Sequence, residues 1–84
     1  MRSTPNVLAA LEIVKDNPSK SYDAMQLMHE YHEKYKPTER IDWHEFSNIL
    51  DSAERHGFLD VADRGGWYDG MVGYEWNPAP VKRN

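Results

Sequence analysis

A mainly α-helical domain closed by a β-hairpin is the fold class this sequence predicts, and three observations predict it. Apolar residues recur at the helical period in three stretches, stopped in turn by Asn17-Pro18, by Pro37 and by Gly57. After Gly57 the period changes to short extended runs, Phe58-Leu59-Asp60-Val61 and Met71-Val72-Gly73-Tyr74-Glu75-Trp76. Between those runs lie Arg64-Gly65-Gly66 and Asp69-Gly70, either of which supplies a hairpin turn.

The first helix is expected to start at Thr4-Pro5, because threonine caps and proline costs nothing at the first helical position. Val7, Ala10, Leu11 and Val14 form its apolar stripe, flanked by Leu8 and Ile13. The second helix is expected to run from Ser19 or Ser21 to about Lys36. Ala24, Leu27, Met28, Tyr31 and Tyr35 fall on one face of it, and Asp23, Gln26, Glu30 and Glu33 on the other. Lys36 to Arg40 is a polar connection, and Ile41 is expected to add a short extended segment.

The third helix carries the clearest signals. Asp42 with Glu45 three residues on is the aspartate form of a capping box, in which each side chain satisfies an orphan backbone donor. Trp43, Phe46, Ile49, Leu50 and Ala53 share one side, and Gly57 stands where a helix often ends in a left-handed residue. Joint burial of Phe46, Leu50 and Phe58 is expected where this helix meets the hairpin. Met1 to Thr4 then form an N-terminal arm, Pro5 to Trp76 the domain, and Asn77 to Asn84 a flexible tail with two prolines and no apolar period.

Composition narrows the function classes. Eighty-four residues make one domain near the lower limit for an unstapled core. The absence of cysteine excludes disulfides and thiolate metal sites. The longest apolar run, Val7 to Leu11, is far too short to cross a bilayer, and no signal-peptide pattern precedes it, so a cytoplasmic protein without a membrane partner is expected. A net charge of −4 argues against indiscriminate attraction to phosphate while leaving room for a local basic patch.

Three helices, a glycine hinge at Gly57 and a hairpin, in that order, resemble the winged-helix variant of the helix-turn-helix. The resemblance covers Pro5 to Trp76 and rests on element order, lengths and the segment from Asp42 to Leu59. It implies that the third helix enters the major groove of double-stranded DNA and that the hairpin touches the backbone or minor groove. It also implies a regulatory protein acting as a homodimer, so that two modest half-site contacts sum.

Opposite its apolar stripe the third helix presents His44, Ser47, Asn48, Asp51, Ser52 and Arg55, all able to hydrogen-bond. Asparagine suits adenine and arginine suits guanine, which makes Ser47, Asn48 and Arg55 the candidate base readers, with His44 beside them. Lys20, Arg40 and Arg64 are the candidate phosphate contacts. Against this, Asp42, Glu45, Asp51 and Glu54 outnumber Arg55, and Asp51 is placed to pair with it four residues on. The same features suit a second class, an acidic docking module or inhibitor for a basic protein surface, using Asp51, Glu54 and the hairpin aromatics Trp67 and Tyr68. A solvated polar face on the helix, and tip aromatics folded into a small core, are the plain structural readings of these residues.

Neither catalysis nor a cofactor is expected. His29-Glu30-Tyr31-His32 differs from the zinc-protease signature because its histidines are three rather than four apart, so no metal site is assigned. The chain offers no nucleophile with a base and an orienting group, no glycine-rich phosphate loop and no paired carboxylates in an apolar setting.

Overall fold

A computed structural model describes residues 4–63 and 72–77. Within them the chain forms α1 (Val7–Asp16), α2 (Ala24–Tyr35), α3 (Trp43–Arg55), β1 (Leu59–Asp63) and β2 (Gly73–Trp76). Three helices are thus followed by an antiparallel pair of strands, as the order of periods predicts. The strands pair Leu59 with Trp76, Asp60 with Glu75 and Val61 with Tyr74, and the register shifts between Val61 and Asp63. Among the described residues, no helix is long and apolar enough to cross a membrane.

Each helix begins on a side-chain cap, but two begin later than their serines and threonine suggest. Asn6, not Thr4, caps α1: its Oδ1 accepts the Ala9 N–H at 3.1 Å, and its own N–H donates to the Tyr31 hydroxyl at 3.0 Å. Asparagine is the stronger cap, and the bond to Tyr31 ties the start of α1 to α2. Asp23 caps α2, accepting the Gln26 N–H at 2.8 Å, so neither Ser19 nor Ser21 starts it. The reason is Tyr22, whose backbone exchanges two 2.7 Å hydrogen bonds with Tyr74 and is held extended as a rung beside β2. The extra extended segment therefore lies before α2. Ile41, its expected place, is buried and donates its N–H to His32 Nε2 at 3.0 Å.

The capping of α3 falls at the expected residue: Asp42 Oδ1 accepts the orphan N–H of His44, 3.1 Å away. The other end is a Schellman closure. The Phe58 N–H reaches the Ala53 carbonyl and the Gly57 N–H the Glu54 carbonyl, each at 3.0 Å, with Gly57 at φ 86°. A β-carbon there meets the left-handed penalty, so Gly57→Ala should cost about 1 kcal/mol or more. Ser52→Ala, on the exposed side of the same helix, should hardly move the urea midpoint. Equal losses from the two would show that the helix does not close through Gly57. A second left-handed residue, Lys36 at φ 45°, ends α2 ahead of Pro37 without any glycine to announce it.

The core is built where all three helices meet β1. Ala10, Ile13 and Val14 from α1, Leu27, Met28 and Tyr31 from α2, Phe46, Ile49, Leu50 and Ala53 from α3, and Leu59 from β1 are buried in one cluster with Tyr22 and Ile41. Four expectations are corrected by it. Leu59, not Phe58, is the strand residue that joins Phe46 and Leu50, because strand side chains alternate between faces. Asp23, the cap of α2, and Gln26 within it are buried, while Tyr35 is exposed on its expected core face. On α1 the stripe is rotated toward Ile13, leaving Val7 and Leu8 outside. Finally, Asn77 belongs to the end of the sheet: its N–H donates to the Phe58 carbonyl at 2.9 Å and its Nδ2 to that of Gly57 at 3.5 Å. The rest of the expected tail, and both candidate turns, lie outside the described residues.

Candidate nucleic-acid interface

The face of α3 opposite the core is the candidate interface, and its geometry follows from the packing. With Phe46, Ile49, Leu50 and Ala53 buried, a period of 3.6 residues turns His44, Asn48, Asp51 and Arg55 most directly away from the core. Asn48 and Arg55 are exposed as a base reader requires, whereas Ser47 lies to one side and is half-buried.

Electrostatics then restrict what these side chains can do. Arg55 Nη2 sits 2.9 Å from Asp51 Oδ2 in the anticipated i, i+4 pair, on a side chain that remains 73% exposed. An exposed pair of this kind contributes well under 1 kcal/mol and can be exchanged for a better partner. His44 is less available, since its ring stacks on Trp43 at 3.7 Å and its Nδ1 lies 3.0 Å from Asp42 Oδ1. Glu54 is half-buried at the edge of the same face.

The candidate phosphate contacts are scattered. Lys20 Nζ is held 2.7 Å from Glu30 Oε2 and lies 5.1 Å from the centre of the Tyr22 ring. Arg40 is exposed beside a shallow hollow of about 300 Å³ shared with Met25, Met28, Asp42 and Trp43. Arg64, Trp67 and Tyr68 lie outside the described residues.

One histidine is structural. His32 Nδ1 is 2.7 Å from the Met28 carbonyl while Nε2 accepts the Ile41 N–H, so both ring nitrogens are engaged and the neutral Nδ1–H tautomer satisfies both bonds. It tethers the connection before α3 to α2. His29, its neighbour in the sequence motif, is exposed. Among the described residues no group of three or more metal-ligating side chains comes together.

Sequence reasoning missed a further feature of the described residues, an apolar face made by exposed Val7, Leu8 and Phe58 with half-buried Leu11 and Trp76 between them. The signal was present in α1, where apolar residues occupy too wide an arc for one buried stripe. No protein-family model matches the chain, and comparison with curated proteins and with solved structures returns no match.

Proposed function

We propose that this chain is a small, non-enzymatic winged-helix protein that binds double-stranded DNA through the outward face of α3. The observation that carries the reading is the arrangement of α3: its apolar stripe is spent on the core, leaving Asn48 and Arg55 exposed on the face a major groove would meet. Three helices followed by an antiparallel strand pair agree with that topology. Asp51 acts as an internal competitor for Arg55, and the acidic balance keeps non-specific affinity low.

A second reading, an acidic docking module for a basic protein surface, is favoured by the carboxylates of Asp51, Glu54 and Glu45 on the same helix. Fluorescence anisotropy with mixed-sequence duplexes at two salt concentrations separates the two. DNA binding predicts an affinity that falls steeply with salt, and an Arg55→Ala variant that loses about 1 to 3 kcal/mol together with base preference. Asp51→Asn should strengthen binding, because it frees Arg55 and removes a charge that repels phosphate. A folded wild-type protein with no salt-sensitive DNA binding overturns this reading and leaves the docking module, for which Trp67→Ala should cost on the order of 2 kcal/mol.

A further inference from the structure

Two adjoining hollows run along the outside of α1. One, of about 450 Å³, is lined by Val7, Leu11, Ile49, Ala53 and Phe58, with Asn48 and Glu45 among the polar residues at its edge. The other, of about 340 Å³, lies between Leu8, Leu11, Phe58 and Trp76, with Glu12 and Lys15 on its rim. Leu11 and Phe58 belong to both, so the two form one continuous apolar face. Leu8 protrudes from it at 76% exposure, Val7 is half exposed, and Phe58 stacks on Trp76 with ring centres 6.3 Å apart. Single exposed leucines are ordinary on a monomer, whereas contiguous apolar surface of this kind marks an interface.

We infer that this face pairs with the same face of a second copy of the chain about a two-fold axis. A two-fold interface must carry its own complement. This one does in shape, because the protruding Leu8 stands beside a hollow of a size to receive it. It does so in charge as well. The chain as a whole is acidic, and a basic partner would select an acidic rim. The second hollow instead carries one acid and one base, Glu12 and Lys15, which lets each copy set its carboxylate against the other's ammonium. Lys15 is also drawn toward this surface, its Nζ lying 6.0 Å from the centre of the Trp76 ring. Glu45, at the far side of the first hollow, is a half-buried residue of α3.

The pairing goes beyond the reading of α3 and does not depend on it, but Asn48 of that reading lines the first hollow and so stands at the edge of the seam; a monomer that still binds duplex DNA would refute the dimer alone. Sedimentation equilibrium of the full chain from micromolar to millimolar concentration tests it. The expected result is a reversible approach to twice the 9.8 kDa of one chain. Leu8→Glu, at an exposed helical position, should raise the dissociation constant on the order of tenfold or more with the circular dichroism unchanged. Glu12→Lys should also weaken it, and adding Lys15→Glu to that variant should restore pairing. A mass of one chain throughout overturns the proposal, as does a dimer that neither Leu8→Glu nor Glu12→Lys weakens. A full chain that stays monomeric but dimerises once Pro78 to Asn84 are removed would assign the face to the chain's own end, and would overturn it too.

Discussion

Phe46→Ala should destabilise the domain by about 3 to 5 kcal/mol, enough to bring it close to unfolding at room temperature. Phe46 is fully buried, and its ring meets that of Tyr31 edge-on at 5.2 Å and that of His32 at 6.1 Å. Truncation therefore removes packing between α3 and α2 as well as apolar burial, and it loosens the ring of His32 that holds the Ile41 N–H. Leu50→Ala should cost about 2 to 5 kcal/mol on the same grounds, since Leu50 is also fully buried. The informative control is Phe58→Ala. Phe58 is 43% exposed, so losing the same ring from that position should cost markedly less. Urea denaturation followed by circular dichroism measures all three, and equal losses at Phe46 and Phe58 would contradict the register of α3 and β1.

The contrast between those two phenylalanines shows where sequence reading succeeds. Over Asp42 to Gly57, cap, stripe and terminator are local signals that agree with one another, and Phe46, Ile49, Leu50 and Ala53 are buried as their spacing requires. Phe58 begins the strand segment, and its alternation alone does not say which of two adjacent apolar residues faces inward. The start of α2 was hidden for a different reason. Tyr22 is extended because it pairs with Tyr74, more than fifty residues away in the chain, and no local propensity records that partner. Asp23 then looked like a surface residue of a longer helix, when its burial follows from capping the helix at that point.

The candidate site was legible to the same degree. Outward placement of Asn48 and Arg55, and the Asp51 to Arg55 pair, follow from helical spacing. The engagement of Lys20 by Glu30 and of His44 by Trp43 and Asp42 depends on rotamers and tertiary neighbours. The apolar face was overlooked because Val7 and Phe58 each fit a buried pattern when read within one element. Only the angle between α1 and the strands leaves them on the same side of the molecule.

Tyr22→Ala should rank with Phe46→Ala, at about 3 to 5 kcal/mol, because the ring is fully buried and its hydroxyl closes a polar cluster. That hydroxyl donates to Glu30 Oε1 at 2.9 Å, while Glu30 Oε2 receives Lys20 Nζ at 2.7 Å and Gln26 Nε2 at 3.5 Å. Burial, then the hydrogen bond to Glu30, then the negative charges of Glu30 and Asp16 hold the phenol pKa well above its ordinary value. The unfolded chain therefore releases this proton first as pH rises, so the native state is favoured in full below about pH 10 and loses ground above it. Within that alkaline window the loss from this one group approaches about 1.4 kcal/mol per pH unit until the folded phenol itself ionises. Tyr22→Phe keeps the ring and removes the proton, so it should start lower by about 1.5 to 3 kcal/mol, the cost of a hydrogen bond to a charged acceptor, and then decline less steeply. Urea midpoints of the two at pH 9 and pH 11 check this directly: parallel alkaline losses would mean that Tyr22 does not hold its proton against Glu30 in the folded chain.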